Sequence, residues 1–301
     1  MFQIDDVSHE LSGSVPGEWN HRQPVSAVNE VDEEPFPNIE YLHACVAGEG
    51  VCLETPPEFL VGCSCEQAEE TDADEDAGVD GRDGGGGKMD MYCTLERGCS
   101  CLHEQVQQSG GVVYDSDRRL RDTYQFGSPI YECNAACDCP GWCKNRVVQR
   151  GISTRLQVFK TFHKGWAVRP LQRIHKGSFV CEYVGEVIAT DEAERRGTAY
   201  DASGFSTLFD LDSAGDEKCE YTIDATYRCG VARFFNHSCA PNMRQTSVWV
   251  DTLSLALHRI AFFATRDIEP LEELTFDYKY EEGARTLDCH CGAPNCRRWL
   301  Y

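Results

Sequence analysis

Residues 133–143 read Cys-Asn-Ala-Ala-Cys-Asp-Cys-Pro-Gly-Trp-Cys, a spacing of Cx3CxCx3C. Similar short spacings lie upstream, as CxC and Cx5CxC, so that nine of the eighteen cysteines form one set: Cys63, Cys65, Cys93, Cys99, Cys101, Cys133, Cys137, Cys139 and Cys143. Cysteines two residues apart suit thiolates wrapped round metal better than ordinary disulfides. Three tetrahedral zinc ions share nine thiolates when three of the thiolates each bridge two ions. The set therefore predicts a trinuclear zinc cluster.

The compartment decides between metal and disulfides. The N-terminus has neither the basic nor the apolar run of a signal peptide, and no stretch is apolar enough to cross a membrane. We therefore expect an intracellular chain with no membrane partner, in which a cysteine-rich pattern binds metal more often than it forms disulfides. Disulfide pairing is the less favoured alternative.

The acidic residues are unevenly distributed. The net charge is −22, of which residues 1–40 and residues 66–90 contribute −8 each. Residues 1–35 are predicted to be a flexible acidic tail, and residues 66–90 a disordered acidic and glycine-rich insert between two cysteine ligands. Solvated disorder is favoured over attraction to a basic partner. No basic face is evident, so direct sequence-specific DNA binding is not expected.

From about residue 147 the chain is rich in short apolar and β-branched runs separated by turns. These runs predict strands at 156–159, 167–168, 179–184, 207–211, 221–223 and 255–257. Residues 190–196 begin with a threonine followed by two acids and predict one short capped helix. The expected fold class is mostly β with short helices.

A second metal site is predicted near the C-terminus. Cys289, Cys291 and Cys296 form CxCx4C, which supplies three ligands, and Cys239 is the natural fourth. His290 is an alternative fourth ligand, although it is wedged between two cysteines. Free C-terminal thiols are the simplest competing interpretation. A zinc ion held by four cysteines would tie the C-terminal tail to the centre of the β domain.

Four motifs bracketed by these cysteines carry a family resemblance: Gly-Trp-Ala-Val at 165–168, Tyr-Val-Gly-Glu at 183–186, Arg-Phe-Phe-Asn-His-Ser-Cys at 233–239 and Glu-Leu-Thr-Phe-Asp-Tyr at 273–278. The chain resembles the SET-domain protein lysine methyltransferases, most closely the fungal heterochromatin-type enzymes acting on lysine nine of histone H3. The resemblance implies a SET β-fold with knot-like C-terminal threading. It divides the chain into a pre-SET zinc region at 36–146, a SET catalytic domain at 147–280 and a post-SET tail at 281–301.

The resemblance also implies a chemistry and its residues. S-adenosylmethionine would donate a methyl group to a neutral lysine, whose pKa is lowered in an apolar aromatic channel. Tyr278 and Tyr183 would be the catalytic hydroxyls, and Phe209 and Phe276 the channel walls. Phe276 implies di- and trimethyl-lysine as product, because it has no hydroxyl. The implied cofactor-binding residues are Lys164, Gly165, Trp166, Arg233, Phe234, Asn236 and His237. Three zinc ions would occupy the pre-SET cluster and one the post-SET site.

Two positions depart from the family pattern. Ala167 stands where the family usually has glycine, which is tolerable only if the backbone φ there is negative. Thr207 stands where relatives often have tyrosine. Neither change touches the catalytic residues, so activity is still expected, with cofactor affinity in question.

The resemblance implies partners as well. A histone H3 tail would add as a strand to the SET sheet, and the acids Asp210, Asp212 and Asp224 lie in or beside the strands that would flank it. Each acid is equally well explained as a solvated surface group. Heterochromatin adaptor proteins would recruit the enzyme to chromatin in the nucleus. The alternatives are a lysine methyltransferase of a non-histone protein, or an inactive zinc scaffold that binds histone tails.

Overall fold

A computed structural model gives the fold of residues 1–10, 23–53, 55, 60–65, 93–203, 207–211, 219–250, 256–279 and 287–300. The predicted insert 66–90 and Asp212 lie outside these residues. Within them, no helix has both the length and the apolar character needed to cross a membrane. The mostly β class with few helices, predicted from the sequence, is confirmed.

Three four-stranded sheets form the body of the molecule. The first has the order β1 (Phe2–Ile4), β2 (Val25–Asn29), β6 (Leu156–Lys160) and β7 (Trp166–Pro170). The second has the order β10 (Leu208–Asp210), β11 (Tyr221–Asp224), β9 (Glu186–Ala189) and β4 (Val46–Ala47). The third has the order β5 (Ile130–Tyr131), β14 (Met243–Trp249), β15 (Arg259–Ala264) and β8 (Phe179–Tyr183).

Three two-stranded pairs join distant parts of the chain: β3 (Glu40–Tyr41) with β12 (Arg228–Cys229), β13 (Asn236–His237) with β16 (Thr275–Phe276), and β17 (Leu287–Asp288) with β18 (Trp299–Leu300). The described helices are α1 (Val7–Glu10), α2 (Ser100–Ser109), α3 (Thr190–Ser203) and two 3₁₀ turns, Val148–Arg150 and Val231–Phe234. The β13–β16 pair is parallel, so two segments some forty residues apart run side by side at the centre of the molecule.

The core is apolar because the central strands are covered on both faces. In β15, a central strand, every residue after Arg259 is buried, as expected when both faces of the sheet are covered. Phe235, Phe262 and Leu274 are fully buried in the largest core cluster. These residues anchor the strands that carry the predicted catalytic motifs.

The prediction of a flexible tail at residues 1–35 is wrong for the described part of that segment. Strand β2 pairs in parallel with β6, with Val25 opposite Leu156, and β1 adds to its other edge. Val25 and Ala27 are buried. Alternating small apolar residues gave β2 one side that packs into the core, which the surrounding acidic composition concealed.

Several element boundaries also differ from prediction. Ala256 and Leu257 lie in a turn and a bend, so a strand at 255–257 is wrong for these residues, and the strand there begins at Arg259. Strand β14, whose sequence is mixed in polarity, was not predicted. Helix α2 was missed because its N-cap, Cys99, makes no side-chain capping hydrogen bond.

Candidate active site and metal centres

The nine cysteines predicted to form a zinc cluster pack together in one group. Three overlapping sets of four thiols each lie within 4.8 Å: Cys63, Cys93, Cys133 and Cys139; Cys63, Cys65, Cys93 and Cys99; and Cys63, Cys101, Cys133 and Cys137. Cys143 belongs to none of these sets but is buried beside them. The pKa of the Cys143 thiol is lowered, chiefly by a hydrogen bond with Cys133. The nine cysteines are not joined by disulfides.

Sulfur–sulfur distances test whether zinc fits the cluster. Two thiolates on one tetrahedral zinc ion lie about 3.8 Å apart, given Zn–S bonds of about 2.3 Å. The Sγ atoms of Cys63, Cys93 and Cys133 form a triangle with edges of 3.8, 4.0 and 3.6 Å. These three cysteines are also the ones that recur in more than one set. The spacing fits zinc, and the triangle suits three bridging thiolates.

Polar groups around the cluster support negatively charged sulfur. The side chain of Arg146 is buried and donates to Cys139 Sγ at 3.4 Å, while Asn145 Nδ2 donates to Cys133 Sγ at 3.4 Å. The backbone amides of Cys63 and Asn134 both donate to Cys137 Sγ, at 3.3 and 3.2 Å. Such donors stabilise thiolate over thiol and orient the ligands.

The C-terminal cysteines meet Cys239 as predicted from the spacing, since Cys239, Cys289, Cys291 and Cys296 lie within 4.8 Å of one another. His290 is not in this set; its ring lies 6.2 Å from that of His163. Although burial acts to raise it, hydrogen bonds from the backbone of Cys239 and Ala293 help lower the pKa of Cys291 to about 6. This set can bind one tetrahedral metal ion.

The four residues predicted to form the catalytic pair and the channel walls lie side by side. Tyr183 contacts Phe209 at 5.1 Å between ring centroids, Phe209 stacks on Phe276 at 6.4 Å, and Phe276 contacts Tyr278 at 4.8 Å. Phe262, which the sequence did not single out, closes the back of this row at 4.9 Å from Phe276. The row forms an apolar aromatic wall with a tyrosine hydroxyl at each end.

Both hydroxyls are held by backbone carbonyls. Tyr278 donates to the carbonyl oxygen of Phe235 at 2.7 Å, and Tyr183 donates to that of Thr207 at 2.8 Å. The backbone amide of Tyr278 in turn donates to Nδ1 of His237 at 3.2 Å. Tyr278 is therefore fixed to the segment that contains the predicted cofactor residues.

His237 lies between the aromatic wall and the C-terminal cysteines. Nδ1 accepts from the Tyr278 amide, and Nε2 lies 3.3 Å from both Cys239 Sγ and Arg297 Nη2. Burial lowers the pKa of His237, Asp277 opposes that effect, and Arg297 adds to it. A neutral imidazole thus links the two sites.

The predicted cofactor residues converge from two segments. Lys164 forms an ion pair with Glu273, and Asn236 Nδ2 donates to Glu273 Oε1 at 3.0 Å and to the carbonyl oxygen of Trp166 at 3.1 Å. Gly165 has φ of +70°, and a Cβ there would meet open space. The loop can therefore present its backbone to a bound molecule. Glu273 was missed as a site residue, although it stands in a quoted motif.

An aromatic residue from the N-terminal part of the chain joins these two segments. Phe36 contacts Trp166 edge-to-face at 5.1 Å and Phe234 at 5.5 Å, while the guanidinium of Arg233 lies 5.2 Å from the Phe234 ring centroid. Phe2 adds a further contact to Trp166 at 6.0 Å. No sequence signal pointed to Phe36, which lies between two prolines.

The two departures from the family pattern are accommodated. Ala167 lies in strand β7 opposite Phe159 and is not among the residues with positive φ. Thr207 is buried, and its hydroxyl is 2.8 Å from that of Thr226. Asp210 is exposed on β10, at the edge of its sheet. Asp224 lies in β11 but is buried and paired with Arg196, so its side chain is neither solvated nor exposed to a bound tail.

Comparison with known proteins gives consistent matches. The family model of the SET domain matches residues 165–279, and the family model of the Pre-SET motif matches residues 18–146. The chain is 38% identical over 298 residues to the Schizosaccharomyces pombe histone-lysine N-methyltransferase, H3 lysine-9 specific. That alignment covers 92% of this chain and 55% of the relative, so the chain spans about half the relative's length.

Two solved structures extend the comparison. The Neurospora SET domain protein DIM-5, a histone lysine methyltransferase, matches with a TM-score of 0.70 and 33% identity, over 90% of this chain and 100% of that chain. KRYPTONITE in complex with mCHH DNA, H3(1-15) peptide and SAH matches with a TM-score of 0.73 and 28% identity, over 99% of this chain and 54% of that chain.

Proposed function

The chain belongs to the SET-domain family of histone-lysine methyltransferases, and we propose that it transfers methyl groups from S-adenosylmethionine to lysine nine of the histone H3 tail. The observation that carries the proposal is the aromatic wall from Tyr183 to Tyr278, which ends against the Asn236–His237 segment. An apolar channel of this kind favours the neutral form of a lysine, which is the nucleophile that methyl transfer requires.

The chain's own residues would perform the positioning. When bound, S-adenosylmethionine supplies an electrophilic methyl group on a sulfonium. Asn236 and Lys164, which both contact Glu273, would hold it together with the backbone of Gly165, beside which a Cβ would meet open space. Tyr278 and Tyr183 would orient the lysine amine, because their hydroxyls are anchored at fixed carbonyls. Alignment alone accounts for a large part of the barrier in such displacements.

Zinc would be structural in both metal centres. Three ions would occupy the nine-cysteine cluster, with Cys63, Cys93 and Cys133 as bridges, and one ion the C-terminal set. Every ligand position would be filled by thiolate, leaving none for a reactive water. We accordingly propose a pre-SET region at 36–146, a SET domain at 147–280 and a post-SET tail at 281–301.

The proposed substrate is a basic, extended histone H3 tail. Strand β10, which carries Phe209, lies at a sheet edge and presents the exposed Asp210, which suits the addition of a basic peptide as a further strand. The H3(1-15) peptide in the KRYPTONITE complex and the H3 lysine-9 specificity of the S. pombe relative support this choice. The enzyme would then act on chromatin in the nucleus, recruited by heterochromatin adaptor proteins.

The direct test is methyl transfer to histone H3. The zinc-loaded chain is incubated with labelled S-adenosylmethionine and recombinant H3, and each lysine is followed by mass spectrometry. We expect label on lysine nine and its loss in a Lys-to-Ala H3 variant at that position. In a parallel assay on a peptide array, label confined to peptides from proteins other than histones would instead support a non-histone substrate.

The product should carry two or three methyl groups. Phe276 is enclosed by Phe209, Phe262 and Tyr278 and brings no hydroxyl near the amine. Phe276→Tyr is expected to shift a long reaction from di- and trimethyl-lysine to monomethyl-lysine, because the new hydroxyl can hold the amine or a water. Phe126→Tyr, which adds a hydroxyl at the edge of the other core cluster, serves as control. An unchanged mass spectrum would remove Phe276 from this role.

Phe36 should contribute to cofactor affinity. Phe36→Ala removes aromatic contacts to Trp166 and Phe234, and such pairs contribute about 0.5–1.5 kcal/mol each. We expect the Kd for S-adenosylhomocysteine, measured by calorimetry, to rise about five- to tenfold. Phe2→Ala, which removes a more distant ring contact to Trp166, at 6.0 Å, should cause a smaller rise. Equal affinities of a folded Phe36→Ala variant and the wild type would show that the contact is only structural.

A further inference from the structure

Asp224 is the centre of a buried polar network that the proposed chemistry does not use. Its side chain is only 3% exposed and accepts three hydrogen bonds. Arg196 and the Tyr200 hydroxyl donate to Oδ2, each at 2.8 Å, and the backbone amide of Thr226 donates to Oδ1 at 2.9 Å. Burial acts to raise the pKa of Asp224, but Arg196 and Thr226 hold it below the ordinary value.

Arg196 connects this carboxylate to the outside of the sheet. The residue lies on α3, and its guanidinium also donates to Glu186 at 2.6 Å and to Glu192 at 2.7 Å. Three carboxylates thus surround one cation, which offsets much of the cost of removing these charges from water. The arrangement fixes α3 against β9 and β11.

A chain of hydrogen bonds leads from Asp224 to the lysine channel. The Thr226 hydroxyl lies 2.8 Å from that of Thr207, and the amide of Ala225 donates to the Thr207 carbonyl at 3.2 Å. That same carbonyl accepts the hydroxyl of Tyr183 at 2.8 Å. The Thr207 carbonyl that accepts the Tyr183 hydroxyl is therefore held in place by Ala225 and Thr226, the two residues that follow Asp224.

We propose that Asp224 and Arg196 are positioning residues for the lysine channel, acting through Thr226 and Thr207 on the hydroxyl of Tyr183. This inference rests on the proposed methyltransferase function. Strand β10 carries Phe209 and pairs with β11 so that Leu208 lies opposite Asp224, which places the network behind the same channel wall. The Asp224 network fixes the position of the aromatic row, although Asp224 and Arg196 do not belong to that row.

The first test is a matched pair of isosteric substitutions. Asp224→Asn keeps the size of the side chain but removes the charge that holds Arg196, and we expect kcat to fall about tenfold with the KM for S-adenosylmethionine within about twofold. Glu192→Gln acts on the exposed side of the same arginine and should leave kcat within about twofold. Equal kcat in both variants and the wild type would overturn the proposal.

A double-mutant cycle shows whether the effect passes through Tyr183. In a Tyr183→Phe background the hydroxyl is gone, so Asp224→Asn should cause no further loss of kcat. Multiplicative losses would instead mean that Asp224 contributes only general stability. If Asp224→Asn does not fold, Thr226→Val replaces it in the same cycle, with Thr226→Ser expected to restore kcat. If the wild-type chain transfers no methyl group, the proposed function is refuted. If the wild type is active and the losses of kcat in the two single variants multiply in the double variant, only this inference is refuted.

Discussion

Replacing Tyr278 by phenylalanine is expected to lower kcat for methyl transfer by about a hundredfold or more, with the fold intact. The hydroxyl is the one polar atom that Tyr278 projects beyond the aromatic row, and the carbonyl of Phe235 holds it at 2.7 Å. Removing it leaves the ring contacts to Phe276 and His237 in place. The loss should therefore appear in turnover and not in packing.

Two measurements make this result interpretable. The Kd for S-adenosylhomocysteine should stay within about threefold of the wild type, since the backbone amide of Tyr278 still reaches His237. Tyr227→Phe changes a tyrosine that is 68% exposed and should leave turnover unchanged. If Tyr278→Phe kept the kcat of the wild type, the Tyr278 hydroxyl would have no part in methyl transfer. A wild type that binds H3 but transfers no methyl group would support the zinc scaffold.

Local spacing predicted the metal centres well, because a chelate depends on residues that are close in sequence. CxC and Cx3C bring thiols together whatever the rest of the chain does. The pairing of Cys239 with the C-terminal cysteines is the exception. The sequence shows only that the C-terminal motif lacks a fourth ligand, and Cys239 stands 50 residues before Cys289. Three residues of the aromatic row, Tyr183, Phe276 and Tyr278, stand in the quoted motifs. Phe209 was implied by the family resemblance alone, and Phe262 was missed.

The features that were missed depend on partners far away in the sequence. Strand β2 finds its neighbour β6 more than a hundred residues later, and nothing local to the acidic N-terminus indicates that pairing. Asp224 ends an apolar strand, where an acid is ordinarily solvated. Its partner Arg196 stands on a helix, and only the packing of α3 on β11 brings the two together. Burial of a charge is thus a tertiary property, which composition does not report.

Chelation of zinc is expected to abolish both activity and fold, with about four ions released per chain. The two centres should release zinc at different rates. Cys239, Cys289, Cys291 and Cys296 are only partly buried, whereas Cys63, Cys99 and Cys133 are almost wholly buried. We expect a fast phase of about one ion and a slow phase of about three ions, followed with a chromogenic chelator.

The fast phase should remove cofactor binding before the fold is lost. Cys239 lies two residues after His237, and the His237 ring lies 3.3 Å from its sulfur, so release of the C-terminal ion should disturb the cofactor segment. Binding of S-adenosylhomocysteine should vanish with the first ion, and the circular dichroism of the sheets with the last three. Simultaneous loss of cofactor binding and of the circular dichroism signal would contradict separate roles for the two centres.

Single cysteine variants separate bridging from terminal ligands. Cys133 occupies two of the three sets and the sulfur triangle, whereas Cys65 occupies one set and lies at its edge. Because a bridging thiolate serves two ions, Cys133→Ser takes a ligand from two of the four proposed zinc ions and should leave the chain with about two, while Cys65→Ser takes a ligand from one ion and should leave about three. Elemental analysis of the purified variants measures the difference. Equal zinc content in the two variants would mean that Cys133 does not bridge, and the trinuclear arrangement would then need different shared ligands.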